Sequence, residues 1–177
     1  TMTAEEMHVG RTDTELEAEA RAAYERYVEG RNAVERGEKA WSELAEEFFT
    51  EDAVFIDPAW GRTEGREHLA RFMDESMQGL DDWEFPEAWT MVEGNRIVSF
   101  WWNRLPGRRE DGTPYQAPGV SIIHYAGDGR FSYELDVLNM AEVGDLFSES
   151  RWAPTGPMNL PPKQPNRDTT PPQQDAP

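Results

Sequence analysis

The stretch AEEFFTEDAVFIDPAWGRTEGREHLARFM, residues 45–73, decides the fold. Its apolar run 53–56 has the composition of a short buried strand. The run ends on Asp57, which stands directly before Pro58 and close to Trp60. Proline offers no amide hydrogen and tryptophan is a large apolar ring, so both leave the carboxylate poorly solvated. The question is why a charged group follows a buried strand here.

Helical spacing of apolar residues is found on both sides of this strand. We predict a first helix over residues 14–36, a second from Trp41 to Phe49 and a third that begins at Gly65. The predicted buried stripes of these helices are Leu16, Ala20, Ala23, Tyr24, Tyr27 and Val34; Trp41, Leu44, Ala45, Phe48 and Phe49; and Leu69, Phe72, Met73, Ser76 and Met77.

Beyond Leu80 the apolar period changes to two, which is typical of strands. We predict strands over 83–91, 96–105, 119–125 and 130–138, with turns at 93–95 and 126–129, and a last short helix over 140–150. Helices followed by a run of long antiparallel strands indicate the α+β class, with a curved sheet wrapped around about three N-terminal helices.

Composition divides the chain into three parts. Residues 1–13 are predicted to be flexible, and residues 14–151 form one domain. Eight of the 13 prolines lie in the tail 152–177. Because proline excludes helix and central strand, this tail is predicted to be disordered or an extended arm.

The charge and residue content exclude several classes of function. A net charge of −18 argues against nucleic acid and anionic membrane surfaces. No apolar run is long enough for a membrane span, and the N-terminus lacks the apolar core of a secretory signal, so the cytoplasm is the expected location. With no cysteine and three scattered histidines, we expect no metal site, and no phosphate-binding glycine loop indicates a nucleotide cofactor.

Asp57 and Tyr27 are the first candidates for chemistry. An Asp before Pro is a common turn residue, but a poorly solvated carboxylate has a raised pKa, which suits a general base. Tyr27 lies on the apolar stripe of the first helix, where a tyrosine is often a core residue. Its hydroxyl needs a partner when buried, and it can donate to a ligand oxygen.

The stretch 45–73 and the later GDGRFSYELDVLN, residues 127–139, resemble the nuclear transport factor 2-like superfamily. The resemblance is to its ketosteroid isomerase and SnoaL-like polyketide cyclase branch, and it covers about residues 14–147. It implies a cone-shaped barrel around an apolar pocket. It implies no particular reaction, because this fold carries many chemistries and many proteins without catalysis.

The resemblance implies roles for individual residues. Asp57 matches the isomerase general base, and Tyr27, in ERYVEG, matches the tyrosine that donates to the oxyanion. The second oxyanion donor of the isomerases is a protonated Asp, and Ser121 stands at the corresponding position. A serine is a weaker donor, so this departure indicates a different reaction or a loss of catalysis.

The last predicted strand carries Glu134 and Asp136 on one face. A two- or four-residue turn before it places Ser121 and Ile123 beside these acids and His124 on the opposite face. The resemblance to SnoaL-like cyclases also implies an acid-base pair of the His124–Asp136 kind. With His124 on the opposite face, this pair requires a bulged turn. We expect Asp136 to line the concave face near Asp57, where two carboxylates push their pKa values apart.

We therefore predict a cofactor-independent isomerase- or cyclase-like enzyme that acts on an apolar ketone such as a steroid or polyketide. The predicted catalytic residues are Asp57, Tyr27 and Asp136. The predicted substrate-binding residues are Phe55, Trp60, Phe72, Trp101, Ser121, Ile123 and Tyr125. The alternative is a non-catalytic ligand-binding or assembly module of the same fold; a homodimer is expected in either case. The small subunit of an oxygenase ranks last, because the extended N-terminal pattern of that group is missing.

Overall fold

The computed structural model describes residues 13–173. Apart from Asp13, the predicted flexible segment 1–13 lies outside the described residues, as do the last four residues of the tail. The elements are α1 (Asp13–Glu35), α2 (Trp41–Phe48), β1 (Phe49–Asp57), β2 (Gly61–Glu64), α3 (Arg66–Met77), β3 (Glu87–Glu93), β4 (Arg96–Arg108), β5 (Pro114–Gly127), β6 (Arg130–Leu138) and α4 (Met140–Ser150).

The six strands form one mixed sheet in the order β2-β1-β6-β5-β4-β3. Strands β1 and β6 are parallel, and every other neighbouring pair is antiparallel. The α+β prediction with a mostly antiparallel sheet is confirmed. The sheet stays open, with β2 and β3 at its edges, rather than closing into a full barrel.

Several strand bounds differ from the prediction. The segment 106–118 was predicted to be a loop, but β4 and β5 pair through most of it, as far as Arg108 and Pro114. Trp83 and Phe85 precede β3 rather than belonging to it, and only Glu84 forms a bridge, to Arg104. Strand β2 was not predicted, because its four residues carry no apolar alternation.

The described residues form three apolar clusters, the smallest of which contains Val54, Ile56 and Tyr133. In the largest one, Leu16, Ala20, Ala23, Tyr24 and Tyr27 of α1 are at most 3% exposed, as their helical spacing predicted. A smaller cluster lies under α4. It contains Trp83, Leu105, Ala117, Val143 and Leu146. No helix within residues 13–173 is long and apolar enough to cross a membrane.

Residues 152–173, called the C-terminal arm below, run without helix or strand pairing along the surface. The arm is held by side chains and backbone at several points along its length. The hydrogen bonds include Thr155 Oγ1 to Asp81 (2.8 Å), Asn159 Nδ2 to the Glu75 carbonyl (2.9 Å), the Arg62 amide to the Asn166 carbonyl (2.8 Å) and Tyr133 Oη to the Thr169 carbonyl (2.6 Å). The arm therefore covers the side of the domain near α3 and β2.

Gly61 is the closest point between the arm and the sheet. It has a φ of +80°, and a Cβ added there would lie 2.4 Å from the carbonyl oxygen of Asn166. We expect Gly61→Ala to displace the arm and to speed tryptic cleavage after Lys163 and Arg167 about tenfold, the effect of losing ~1.4 kcal/mol of contacts. Limited proteolysis followed by mass spectrometry measures this rate.

Gly112→Ala is the matched control for this substitution. Gly112 has a similar φ of +85°, but no atom lies within 4 Å of the added Cβ. Both alanines carry the same backbone strain, so faster cleavage of the arm in the Gly112 variant as well would contradict the close-contact explanation.

Candidate active site

A cavity of about 330 Å³ lies between the inner face of the sheet, α1, α3, α4 and the arm. Nine aromatic residues and three acidic residues belong to its wall. The aromatic residues are Tyr27, Trp41, Phe55, Trp60, Phe72, Trp83, Phe85, Trp101 and Phe147; the acids are Asp57, Glu134 and Asp136. A volume of this size suits a small organic ligand.

Asp57 ends β1 at the wall of this cavity. Its Oδ1 accepts hydrogen bonds from the backbone amides of Ala59 and Trp60, both at 2.8 Å. Within the described chain, Oδ2 accepts none. Burial raises the pKa of Asp57, although the two amides act in the opposite direction. The residue therefore forms the turn expected of an Asp before Pro, and it also presents a poorly solvated carboxylate to the cavity.

Glu134 and Asp136 form a second acidic group on β6. The strand register pairs Ser121 with Asp136 and Ile123 with Glu134, which confirms the predicted side-chain faces. Ser121 Oγ donates to Asp136 Oδ1 at 2.6 Å, and the two carboxyl groups influence each other's pKa. Burial, helped by the charge of Asp57, raises the pKa of Asp136 to about 6.

Glu134 is more deeply buried than Asp136, with 2% of its surface exposed. Burial and the charge of Asp136 raise its pKa well above the ordinary value. The raised pKa favours the protonated form of Glu134, which can donate a hydrogen bond. Strand alternation predicts the face on which Glu134 lies, but it does not predict a role for this residue.

Tyr27 reaches this acidic pair from α1. Its hydroxyl donates to Glu134 Oε2 at 3.1 Å. We predicted that this hydroxyl donates to a ligand oxygen; in the structure its partner is Glu134. Burial raises the pKa of Tyr27, so the phenol stays protonated and fixes the position of Glu134.

The predicted substrate-binding residues divide into two groups. Phe55, Trp60, Phe72 and Trp101 lie on the cavity wall, whereas Ser121, Ile123 and Tyr125 do not. Ser121 lies behind the wall because the Trp101 indole covers it and donates to its Oγ at 2.9 Å. Ile123 and Tyr125 are on the inner face of the sheet, but they are packed in the largest core cluster.

His124 lies on the other face of β5, with its ring 4.5 Å from that of Tyr133. A His124–Asp136 pair is therefore not formed. The strand register shifts twice near the turn, between His124 and Tyr125 and between Tyr125 and Gly127. Both shifts lie on the turn side of His124, so the imidazole stays on the face opposite Asp136. Over residues 13–173, no group of three or more His, Cys, Asp or Glu side chains is arranged to hold a metal ion.

The surroundings of Asp136 predict how its titration responds to substitution. The Ser121 hydrogen bond lowers the pKa of Asp136 and the charge of Asp57 raises it. Carbon NMR of labelled carboxyl groups should show a midpoint near 6 for the wild type. We expect a higher midpoint in Ser121→Ala and a lower one in Asp57→Asn. Shifts in the same direction in both variants would contradict the arrangement described here.

Comparison with known families gives one match that covers most of the domain. The sequence model described as a SnoaL-like domain matches residues 24–134, which is more than half of the chain. The comparison with curated proteins finds no match.

Solved structures of similar fold share little sequence with this chain. A protein from Jannaschia sp. CCS1, named for SnoaL-like polyketide cyclases, is 19% identical with a TM-score of 0.59, over 78% of this chain and 98% of its own. An LEH-like epoxide hydrolase from M. tuberculosis is 16% identical with a TM-score of 0.56, over 75% and 91%. A protein of ketosteroid isomerase-like fold from Catenulispora acidiphila DSM 44928 is 16% identical with a TM-score of 0.52, over 72% and 97%. At these identities the likeness establishes the fold alone.

Proposed function

The chain belongs to the SnoaL-like domain family, and we propose that it is a cofactor-independent acid–base enzyme acting on a small, mostly apolar ketone. One observation carries this proposal. Asp57 and the Asp136–Glu134 pair belong to the same aromatic cavity, and burial raises the pKa of all three groups. Acids and bases with pKa values moved toward neutrality are what proton transfer at pH 7 requires.

In the proposed reaction, Asp57 removes a proton from the carbon next to the ketone. Its Oδ2 is the atom available for this step, since Oδ1 is held by two backbone amides. The proton moves onto the carboxylate, and the electron pair of the C–H bond moves into the enolate. Return of the same proton to another carbon completes an isomerisation. Attack of the enolate carbon on a second carbonyl forms a C–C bond and an alkoxide, and transfer of the proton from Asp57 to this alkoxide completes a cyclisation.

The enolate oxygen needs a hydrogen-bond donor on the opposite side of the substrate. We assign this role to the proton held by Glu134, with Tyr27 keeping the carboxyl group in position by donating to Oε2. Donors in a water-poor site stabilise developing negative charge strongly. Tyr27 acts in this proposal through Glu134, so it is a positioning residue rather than a direct donor.

The aromatic wall supports an apolar substrate. Trp60 packs against Phe72, with ring centroids 6.2 Å apart, and Phe72 packs against Phe55 at 5.4 Å. These rings offer an apolar body large contact areas and few polar partners. The names of the related structures, which include polyketide cyclases, support the same class of substrate.

Hydrogen–deuterium exchange next to a ketone tests the reaction class without knowledge of the natural substrate. A panel of cyclic ketones, including a β,γ-unsaturated ketosteroid, is incubated with the protein in deuterated buffer and followed by NMR. We expect loss of the proton signal next to the carbonyl faster than in buffer for at least one member. Exchange at the buffer rate across the whole panel overturns the proposal.

A non-catalytic ligand-binding module is the second candidate function. It is favoured by the Tyr27 hydroxyl, which already has Glu134 as its partner instead of facing a ligand. In that case members of the panel bind, as seen by quenching of tryptophan fluorescence, while exchange stays at the buffer rate. Binding together with accelerated exchange supports the enzyme instead.

A further inference from the structure

Asn103 is a polar residue on the cavity wall that the proposed reaction does not use. It lies on β4, on the same face as Trp101 and Leu105, and only 3% of its surface is exposed. It belongs to the cavity lining. Within the part of the chain that the structure describes, its side-chain amide has no hydrogen-bond partner. The small exposed part of Asn103 therefore opens onto the cavity.

No hydrogen bond within the described residues offsets the burial of the Asn103 amide. Ala117 faces Asn103 on β5, and the bridge between Glu84 and Arg104 places Phe85 opposite it on the other side. Apolar neighbours cannot satisfy the amide, and a buried polar group without a partner destabilises a protein. Neither neighbour offers the amide a partner, so it is available for a hydrogen bond with a molecule bound in the cavity.

Trp83 provides a second polar group of the same kind nearby. The Glu84–Arg104 bridge places Trp83 opposite Leu105, one step along from Asn103. Trp83 also lines the cavity, and its indole Nε1 is buried without a partner among residues 13–173. The Asn103 amide and the Trp83 indole are thus one residue apart along the strand pairing. Both can donate a hydrogen bond to the oxygen of a carbonyl or hydroxyl group, and the Asn103 amide can also accept one.

This polar site is far from the carboxyl groups. Asp136 pairs with Ser121, which pairs with Ser99 on β4. Asn103 is four residues farther along β4, about 13 Å at the rise of a β-strand. The wall between the two ends is apolar and includes Trp101 and Leu138.

We propose that Asn103, together with Trp83, binds a second oxygen atom of the substrate, at the opposite end of the cavity from Asp57 and Asp136. The substrate is then an elongated, mostly apolar molecule with an oxygen function at each end. This inference rests on the proposed function in that it takes the carboxylate end as the reacting end. Asn103 determines specificity by selecting molecules whose far end can form a hydrogen bond.

A pair of matched ligands tests this assignment at equilibrium, without turnover. The probes are a saturated ketosteroid with the ketone on its first ring, and the same compound with a hydroxyl group on its fourth ring. Their dissociation constants are measured by tryptophan fluorescence with the full-length wild type and with Asn103→Leu. We expect the hydroxyl group to tighten binding about tenfold in the wild type and less than about twofold in Asn103→Leu.

Thermal unfolding of Asn103→Leu gives a second, ligand-free test. If the amide has no structural partner, its replacement should raise Tm by about 2–4 °C. A structural asparagine would instead lower Tm, and that result overturns the proposal. Three binding results would also overturn the proposal: equal binding of both probes to the wild type, a hydroxyl preference that persists in Asn103→Leu, or no binding of the hydroxylated probe.

The outcomes separate this inference from the proposed function. A protein that exchanges ketone protons but binds both probes equally lacks the second oxygen site and keeps its reaction. A protein with the hydroxyl preference and no exchange keeps the site and is a binding module.

Discussion

Asp57→Asn is expected to lower the rate of proton exchange next to a ketone by about 10²–10⁴-fold, the usual contribution of a general base. The amide keeps the size of the side chain, and its oxygen can still accept from the amides of Ala59 and Trp60. The turn after β1 therefore stays intact. Only the ability to take a proton is lost, because an amide is not basic at neutral pH. The NMR exchange assay gives the rate directly.

Asp52→Asn is the matched control, on the same strand. Asp52 is exposed and outside the cavity, and its Oδ1 accepts from Thr50 Oγ1 at 2.9 Å, which an asparagine also permits. We expect its exchange rate to equal that of the wild type. If Asp57→Asn keeps the wild-type rate as well, Asp57 is a turn residue only, and Asp136 becomes the candidate base.

The faces of the strands were predictable from sequence because they depend on a local turn. Gly127 pairs with Arg130 across the two-residue loop of Asp128 and Gly129, both with positive φ. Such a loop fixes the register of β5 against β6, and register fixes which side chains share a face. Ser121 and Asp136 keep the register set by this loop, because the two register shifts next to Tyr125 cancel each other.

How far the cavity extends along those strands was not predictable. Tyr125 lies on the inner face, as its parity requires, but at its level α1 fills the space above the sheet with core side chains. The alternation of side chains along a strand predicts the face on which a residue lies. It does not predict which helix packs over that part of the sheet. For the same reason Glu134 was missed as a partner of Tyr27, a contact between residues 107 positions apart.

The arm shows the same limit of sequence reasoning. Its proline content disfavours helix and central strand, but it does not reveal that Met158 and Leu160 line the cavity. Contacts that hold it, such as those of Arg62 with the carbonyls of Asp168 and Thr170, join polar groups distant in sequence. The composition of the arm limits the backbone conformations that it can adopt. The surface on which the arm packs is formed by the rest of the chain, so the composition of the arm does not predict it.

Arg31 connects the stability of the domain to the proposed site. It lies one turn after Tyr27 on α1, and its guanidinium is 5.4 Å from the centre of the Tyr27 ring. Its Nη2 bonds Glu87 Oε2 at 2.9 Å, which ties α1 to the edge strand β3. Its positive charge also lowers the pKa of Glu134 and Asp136, against the effect of burial. One side chain therefore holds the helix that carries Tyr27 and offsets part of the acid charge.

Arg31→Met is expected to reduce the free energy of unfolding by about 3 kcal/mol, because it leaves Glu87 partly buried without its cation. This is the lower end of the usual cost of breaking a buried ion pair. Glu87 keeps hydrogen bonds from Tyr24 Oη at 2.7 Å and Thr90 Oγ1 at 2.9 Å, and its side chain is 21% exposed. Methionine retains most of the apolar packing of the arginine stem. Urea unfolding followed by tryptophan fluorescence measures the change.

Two further variants decide whether the ion pair is the cause. Arg36→Met removes an arginine near the end of the same helix that pairs with exposed Glu29 and Glu38, so it should have little effect on stability. Glu87→Gln added to Arg31→Met removes the unpaired charge and should recover part of the lost free energy. If Arg31→Met is as mild as Arg36→Met, the Arg31–Glu87 pair does not hold α1 to the sheet. Equal losses in the single and double variants would instead assign the cost to packing of the arginine stem.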